Sequence, residues 1–376
     1  MKSLFEFGAH AGAHRVAVRA GMSVLVPLVV LYSISHIEWS IFAAFGAFTS
    51  VYGRNTAYAL RLRMQGIAAA IMVSSVLLGA VVAVLPNPEY TVVAVAAVWA
   101  LVVAFVSDAA RLSPPGPLFA VFGLCSVASV PAGPNEFALA FTVSAGAALF
   151  ALLVGQVGRV RAGQVRNSTW GAISAVNSSR ESAGSAVRSA IVATLRRPGE
   201  LRHLSRFAVA AAVAGSLSTG LGIGHPYWSM VAAIVPLVAI DLGNSFVRGA
   251  HRLLGTVAGL ALASVLLLFA PSGLWAIGLV AALQVVAELF VVRNYGFALV
   301  FVTPLALIMV SLAHPVSASA LITDRAVETL LGTVVAIVVA LGYWLAFGRS
   351  RRTSPATTPP GAYTERAATK ASTSAR

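Results

Sequence analysis

The stretch MQGIAAAIMVSSVLLGAVVAVL, residues 64–85, carries no charged side chain and is apolar all the way round a helix. A run of roughly twenty such residues is what an α-helix needs to cross about 30 Å of hydrocarbon. Helices of soluble proteins instead alternate an apolar face with a polar one. Residues 64–85 therefore predict a transmembrane helix. Residues 136–158 repeat the pattern, with Glu136 as their only charge.

Composition extends this conclusion to the whole chain of 376 residues. Hydrophobic residues make up 58% of it and charged residues 10%, against about 25% charged residues in ordinary soluble domains. A net charge of +14 would suggest nucleic-acid binding in a soluble protein, but here the charges follow membrane topology, and we expect no nucleic-acid partner. Cys125 is the single cysteine, which excludes an intramolecular disulfide.

Hydropathy predicts an all-α transmembrane protein with about twelve spans. The predicted spans are 15–34, 38–53, 64–85, 90–107, 116–131, 136–158, 206–223, 227–242, 253–270, 273–292, 296–313 and 324–347.

The distribution of basic residues gives these spans an orientation. The connections 35–37, 86–89, 132–135, 224–226 and 271–272 contain no Lys or Arg. Of the 26 basic residues, Arg325 alone falls on the side of these connections. Because cytoplasmic loops collect Lys and Arg, both termini are predicted to be cytoplasmic.

Composition also divides the chain into five segments. They are a cytoplasmic N-terminal segment (1–14), a first six-helix region (15–158), a linker (159–205), a second six-helix region (206–348) and a tail (349–376). The linker has apolar residues at helical spacing, which suits either amphipathic helices on the lipid surface or solvated helices packed on the bundle. The tail is basic and rich in Ser, Thr and Pro, and is predicted to be disordered near anionic lipid.

An internal repeat relates the two six-helix regions at a constant offset of 189 residues. Its most specific pairs are His36 and His225, Trp39 and Trp228, Ser40 and Ser229, Asn55 and Asn244, Arg63 and Arg252, and Gly66 and Gly255. Composition bias does not produce matches of His, Trp, Asn and Arg. Since each copy has an even number of spans, the sequence predicts two parallel six-helix repeats, related by a pseudo-twofold axis along the membrane normal.

The second span of each repeat is short and begins at a Trp-Ser pair. Paired short spans in matching positions point to a transport site. The alternative is that Trp39 and Trp228 are interfacial belt residues at the start of ordinary tilted helices.

After each short span comes a polar turn that carries arginines. The candidate residues for an anion path are Asn55, Arg61, Arg63, Asn244, Arg248, Arg252 and Arg325. Each inner arginine could instead be a cytoplasmic anchor, but their repetition favours a cationic vestibule that gathers organic anions. Asp241 is close enough in sequence to pair with Arg248 or Arg252.

Ionisable residues inside spans are costly and point to function. Glu288 and Glu328 are the candidates for proton coupling. Glu288 and Arg293 are poorly spaced for pairing on one helix, so another helix is expected to supply a partner for Glu288. Arg325 and Glu328 have the i, i+3 spacing of a helical ion pair.

Signatures of catalysis are missing from the sequence. It contains no phosphate-binding Gly-rich loop with Lys-Ser/Thr, no His-Glu-x-x-His or paired His/Cys pattern, and no nucleophile elbow. We therefore expect a protein that is not an enzyme and that uses no cofactor and no metal.

Several motifs resemble the fusaric-acid-resistance-like (FUSC) family of integral membrane transporters. The clearest is HPYWSMVAAIVPL (225–237) followed by Arg248, Arg252 and the Gly-Thr pair at 255–256. HIEWSIFAAFGAF (36–48) looks like a diverged copy, although Arg61 and Arg63 replace the Arg-x-x-x-Arg spacing. The Arg-Asn-Tyr-Gly run at 293–296, and Arg325 followed by Thr-Leu-x-Gly at 329–332, are also similar to the family.

The resemblance implies export of aromatic carboxylic acids or related small molecules. Together with the repeat and the missing nucleotide site, it predicts a secondary transporter of the bacterial inner membrane that couples efflux of small organic anions to protons. A passive anion channel and a membrane scaffold that holds a partner through the linker are the alternatives. Membrane lipid and a small organic anion are the expected partners, and the oligomeric state, including a homo-oligomer, is left open.

Overall fold

The computed structural model describes residues 13–130, 136–163, 192, 194, 199–224, 226–239, 241–313 and 316–347. Within these ranges the chain is entirely helical and contains no strand. Residues 1–12, His225, the tail 349–376 and most of the linker 159–205 lie outside the described residues. By its internal contacts the chain separates into two compact units, Met1–Ala340 and Leu341–Arg376.

Twelve α-helices lie within the described ranges, and the isolated described residues 192 and 194 are helical as well. They are α1 (Ala13–Ser33), α2 (Ser40–Ala47), α3 (Tyr58–Ala83), α4 (Pro88–Ala110), α5 (Leu118–Ala128), α6 (Glu136–Gly163), α7 (Glu200–Gly220), α8 (Tyr227–Leu237), α9 (Leu242–Leu268), α10 (Gly273–Phe290), α11 (Tyr295–Ala313) and α12 (Ala318–Phe347). Short 3₁₀ turns, Ile37–Trp39 and Phe48–Val51, extend α2 at both ends. Each predicted span overlaps one of these helices.

Eight of the described helices are long and apolar enough to cross a membrane. They are α1, α3, α4, α6 and α9 to α12. Three shorter apolar elements accompany them: α2 with its 3₁₀ turns, α5 and α8. The protein is therefore an all-helical, multi-pass membrane protein, and the predicted short second spans correspond to α2 and α8.

Large apolar side chains point outward from the long helices. Leu254 and Val257 on α9, and Leu330, Val334 and Val338 on α12, each expose more than half of their surface. In water such faces would be unfavourable, but hydrocarbon solvates them. The membrane environment therefore explains why these helices are apolar on their outer sides as well.

The inner helix contacts depend on glycines. A Cβ added at Gly255 of α9 would lie 2.3 Å from the carbonyl oxygen of Gly296 on α11, and one added at Gly332 of α12 would lie 2.1 Å from that of Ser229 on α8. Small residues let helix backbones approach closely in a bilayer, where hydrophobic driving force between helices is missing. These glycines fix the spacing of the second group of six helices.

Helices of the first six and the second six pack against one another in a reciprocal way. The first helix of each group packs on the fourth helix of the other, α1 on α10 and α7 on α4. The short second helix of each group likewise contacts the fifth helix of the other group: α8 contacts α5, and α2 contacts α11. The two groups therefore share one interior, and the site described next lies there.

One boundary departs clearly from the sequence prediction. Hydropathy starts the ninth span near residue 253, whereas α9 begins at Leu242. The side chain of Asp241 caps this helix by accepting a hydrogen bond from the backbone N–H of Asn244, at 2.8 Å. As a result Arg248 and Arg252 lie inside the first three turns of α9, and not in a turn that precedes it.

Candidate functional site

A cavity of about 910 Å³ lies between the two groups of helices. Its wall is formed by α2 and α5 from the first group and by α8, α9, α10, α11 and α12 from the second. The volume is within the range of about 300–1,000 Å³ typical of small-molecule sites. The cavity is therefore large enough for an organic solute and is shared by both groups.

The side formed by α2 and α5 is aromatic. Phe45, Phe48, Phe119 and Phe122 all line the cavity. Phe45 meets Phe122 edge to face with ring centroids 5.2 Å apart, and Phe48 meets Phe119 at 5.3 Å. These separations are typical of favourable aromatic pairs. We call these four phenylalanines the aromatic wall.

The side formed by α9 and α12 is cationic. Arg252 and Arg325 both line the cavity, and each exposes only 3% of its surface. Nη1 of Arg252 donates a hydrogen bond to the Tyr295 hydroxyl at 3.3 Å. The charge of Arg325 interacts with that of Arg252 and also with that of Glu328. We call Arg252 and Arg325 the arginine pair.

Nitrogen atoms of the arginine pair are left without hydrogen bonds. Among the described residues, Nε and Nη2 of Arg252 and Nε and Nη1 of Arg325 have no partner. The guanidinium of Arg325 lies over the ring of Trp228, 4.9 Å from its centroid. Neither arginine forms a salt bridge within the described part of the chain. Buried charges are normally paired, because burial without a partner is costly.

The ion pair that the sequence suggests between Arg325 and Glu328 is not formed. Glu328 is fully buried and its Oε1 accepts a hydrogen bond from the Ser218 hydroxyl, at 3.0 Å. The i, i+3 spacing brings two residues to one side of a helix, but tertiary contacts select the rotamers. Arg325 therefore projects to the cavity, whereas Glu328 bonds to α7.

At another part of the cavity wall, Glu288 is paired across the two groups of helices. Arg54, in the loop between α2 and α3, donates a hydrogen bond from Nη2 to Oε2 of Glu288 on α10. Gln284 donates to Oε1 of Glu288 at 3.2 Å. The partner of Glu288 therefore comes from outside α10, as expected, but from a loop and not from another helix. The charge of Arg19 on α1 also interacts with this pair.

Arg61 does not line the cavity. It is 8% exposed and donates to three backbone oxygens, those of Gly53 at 3.2 Å, Thr56 at 2.9 Å and Gly155 at 3.1 Å. Its guanidinium also lies 4.9 Å from the ring centroid of Tyr58. This geometry ties the loop before α3 to α6, which is a structural role.

The other polar candidates lie at the edge of the cavity or away from it. Arg63 and Asn55 are exposed and are not part of its lining, whereas Asn244 and Arg248 are exposed and line it. Asp241 does not pair with Arg248. Hydrogen bonds from the backbone and side chain of Asn244 hold the pKa of Asp241 below its usual range.

The motif pairs of the repeat occupy different environments. Trp228 is completely buried beneath Arg325, which is incompatible with an interfacial belt position. Trp39 is half-buried, and its ring stacks on that of His36 with the ring centroids 3.9 Å apart. Ser229 donates to the Pro226 carbonyl at 2.7 Å, and Ser40 is fully buried. His225 falls outside the described residues.

Three features of the site are not apparent from the sequence. Arg54 looks like any other cytoplasmic arginine, and its partner is 234 residues away. Tyr295 belongs to the Arg-Asn-Tyr-Gly run at 293–296, but no sequence pattern indicates that its hydroxyl contacts Arg252. The aromatic wall comes from two short helices in which phenylalanine is expected on hydropathy alone. The sequence signal that could have indicated this wall is the high density of phenylalanine in the two short helices α2 and α5.

The fold and the cavity together define a polytopic helical membrane protein with a cationic, aromatic-walled interior cavity. The family described as "Fusaric acid resistance protein-like" matches residues 209–339. This match confirms the resemblance over α7 to α12, the stretch that carries Trp228, Arg252, Glu288 and Arg325. No solved structure gives a significant match.

Two curated relatives align with about two fifths of the chain. The "Uncharacterized membrane protein YvaC" of Bacillus subtilis (strain 168) is 26% identical over 147 residues, 39% of this chain and 23% of the relative. The "Uncharacterized protein YhfK" of Escherichia coli (strain K12) is 28% identical over 152 residues, 40% of this chain and 21% of the relative. The alignments thus span less than a quarter of the length of either relative.

Proposed function

We propose that this protein is a secondary transporter that exports small aromatic or organic acids in exchange for protons. Its membrane-spanning part consists of two parallel six-helix repeats, α1–α6 and α7–α12, related by a pseudo-twofold axis along the membrane normal. The reciprocal packing of α1 on α10 and of α7 on α4 supports this arrangement. The offset of 189 residues between the motifs supports it independently.

The orientation follows from the basic residues. In a bacterial inner membrane, both termini and the linker 159–205 face the cytoplasm, because nearly all Lys and Arg residues then lie on the cytoplasmic side. The start of α9 is cytoplasmic in this orientation, and the start of α12 faces outward.

One observation carries the proposal: a cavity bounded by both groups of helices contains a buried arginine pair with unpartnered N–H groups. Buried charge that forms no salt bridge is costly, which favours a functional role for these two arginines. The exposed Arg248 and Asn244 line the same cavity and form the entrance from the cytoplasm. Anions are therefore drawn toward Arg252 and Arg325.

Proton coupling is assigned to Glu288 in preference to Glu328. Glu288 lines the cavity and bridges the two repeats through Arg54, whereas Glu328 is not part of the lining. Protonation of Glu288 removes its charge and weakens the bridge to Arg54. A proton can thereby release the contact between the repeats, which is the movement that alternating access requires.

The test is a flux assay on the purified full chain in sealed vesicles. A panel of aromatic and aliphatic carboxylates is loaded at pH 8, and efflux is compared with and without an inward proton gradient. Leak from protein-free vesicles is subtracted. We expect faster efflux of carboxylates under the gradient, and we expect Glu288→Gln to abolish the pH dependence. Unchanged pH dependence in Glu288→Gln would refute the coupling assignment.

The same assay separates the two alternatives. A passive anion channel gives currents that follow membrane potential alone and are insensitive to the proton gradient. A scaffold gives no protein-dependent flux under any condition. Flux that persists after residues 159–205 are replaced by an unrelated linker counts against a scaffold that acts through that segment.

A further inference from the structure

We infer that Arg19 on α1 is a second positioning residue for the carboxylate of Glu288. Arg54 is the neighbour that Glu288 exchanges, and Arg19 is the neighbour that it keeps, so the carboxylate passes to Arg19 when the bridge to Arg54 opens. This inference rests on the proposed function, since it concerns the residue to which proton coupling is assigned.

The first argument is the close contact between α1 and α10, which belong to different groups of helices. The most extensive packing of α1 is against α10 and not against a helix of its own group. A Cβ added at Gly21 of α1 would lie 2.4 Å from Cγ2 of Val285 on α10. Such an approach at a small residue is typical of tightly packed helices in a bilayer. α1 therefore stays with α10 when other contacts between the groups open.

The same contact places Arg19 level with Glu288. The two helices are antiparallel, because Gly21 lies against Val285 whereas Leu28, later in α1, shares a buried cluster with residues nearer the start of α10. Arg19 lies two residues before Gly21, about 3 Å along α1. Glu288 lies three residues after Val285, about 4.5 Å along α10. Both displacements have the same direction, so the two side chains leave their helices at nearly the same height.

Arg19 also has N–H groups with which to hold a carboxylate. Its Nε and Nη2 are buried and have no hydrogen-bond partner among the described residues. In this conformation the oxygens of Glu288 are occupied, Oε2 by Arg54 and Oε1 by Gln284. Departure of Arg54 leaves Oε2 able to accept a hydrogen bond from Arg19. A guanidinium and a carboxylate then compensate each other, which is less costly than burying either one alone.

No other cation competes for this role within the described part of the chain. The charges that act on Glu288 there are those of Arg54, from the loop between α2 and α3, and of Arg19, from α1. The helix α11 also packs on α10, and Tyr295 is its only titratable residue. The charge of Arg61 acts on Arg19, but all three nitrogen atoms of Arg61 donate to backbone oxygens.

A fixed neighbour for Glu288 explains how the proposed cycle returns to its starting state. Protonation of Glu288 weakens the bridge to Arg54, but the proton must later leave for the next cycle to begin. A buried carboxylate with no cation beside it is costly to ionise, so the proton would remain bound. Arg19 offsets this cost. Glu288 then gives its proton to water in the cavity and can attract Arg54 again.

Titration of the carboxyl group tests the inference without an assay of transport. Infrared difference spectra of the full chain in lipid nanodiscs follow the protonated carboxyl band, and the part that disappears in Glu288→Gln is assigned to Glu288. Arg19→Gln should move the midpoint of this band upward by about one pH unit, because a nearby cation favours the ionised form. Arg19→Lys, which keeps the charge, should restore most of the wild-type midpoint. An unchanged midpoint in Arg19→Gln would overturn the inference.

The matched control for this titration is Arg15→Gln. Arg15 is exposed and lies one turn before Arg19 on α1, so the variant removes the same charge from the same helix. Its midpoint should equal that of the wild type. An equal shift in Arg15→Gln and Arg19→Gln would show a general effect of net charge and would overturn the specific role of Arg19.

The exchange of partners is tested by removing Arg54. Thermal unfolding of Arg19→Gln is compared in the wild type and in Arg54→Gln. In the wild type, Arg19 forms no salt bridge and is repelled by Arg54 and Arg61, so its loss should leave the melting temperature unchanged or raise it. In Arg54→Gln, Arg19 is the remaining cation beside Glu288, and its loss should lower the melting temperature. The same change in both backgrounds would refute the exchange.

Failure of this inference can be told from failure of the proposed function. If the titration and the unfolding follow the expectations but vesicles show no proton-driven efflux, the proposed function fails and the role of Arg19 stands. If efflux is proton-driven and loses its pH dependence in Glu288→Gln, but Arg19→Gln keeps the wild-type pH profile, the inference fails and the proposed function stands.

Discussion

The ion pair between Arg54 and Glu288 joins the two groups of helices at the cavity wall, and Glu288→Gln is the simplest change that breaks it. The side chains expose 14% and 7% of their surface, so neither charge is well solvated. Glutamine preserves the size of the side chain and its contact with Gln284. What the substitution removes is the negative charge opposite Arg54.

The expected cost is about 3 kcal/mol of folding free energy. Removing one partner of a buried ion pair typically costs about 3–5 kcal/mol, because the other charge remains buried without compensation. We expect the lower end, since Arg54 is the more exposed partner and an arginine can extend its head group toward solvent. The charge of Arg19, which interacts with both groups, adds repulsion once Glu288 is neutral.

The assay is unfolding in mixed micelles by increasing fractions of a denaturing detergent, followed by circular dichroism. Arg54→Gln and the double variant complete a double-mutant cycle. The double variant leaves no unpaired charge. Its loss of folding free energy should therefore be about 2 kcal/mol smaller than the sum of the losses in the two single variants. Additivity within about 0.5 kcal/mol would show that the two side chains do not interact, and would refute the bridge.

Further substitutions test the packing and the local structure around the cavity. Gly255→Ala should cost about 1–3 kcal/mol of folding free energy in the same unfolding assay, because its Cβ would lie 2.3 Å from the carbonyl oxygen of Gly296. The control is the repeat-related Gly66→Ala, whose Cβ would meet no atom within 4 Å and which should be neutral or stabilising. Arg61→Lys should lower stability but leave carboxylate efflux per folded protein unchanged, since an ammonium group cannot serve three backbone oxygens spread around the guanidinium. Asp241→Ala should speed amide exchange in the first turn of α9. In the wild type, protection of these amides relative to their intrinsic exchange rate should fall as the pH drops through the lowered pKa of Asp241, because this cap is intact only while the carboxylate is ionised.

Hydropathy and charge distribution predict the helical architecture well, since both reflect the solvent that each segment meets. Hydropathy places the start of α9 too late, because Asn244, Arg248 and Arg252 lower the local hydropathy. The helix is nevertheless visible in another pattern: Ser245, Gly249 and Arg252 recur at helical spacing, and all three are buried. A polar residue at a buried, periodic position is therefore a better signal for a site than a polar turn.

The pairing of charges could not be read from the sequence, because it depends on tertiary packing. Spacing on one helix correctly excludes Arg293 as the partner of Glu288 but does not identify Arg54. For Arg325 and Glu328, spacing allows an ion pair that the structure does not form. In both cases the outcome depends on which helices pack together, and single-sequence periodicity contains no information about that.

The most direct test of the proposed transport is to record carboxylate efflux and internal pH in the same vesicles, with the membrane potential clamped. Proton-coupled exchange predicts that each carboxylate leaving is accompanied by a fixed number of protons entering, at every size of the pH gradient. It also predicts that Arg252→Gln abolishes both movements together. Efflux that follows the clamped potential with no change of internal pH would contradict the account.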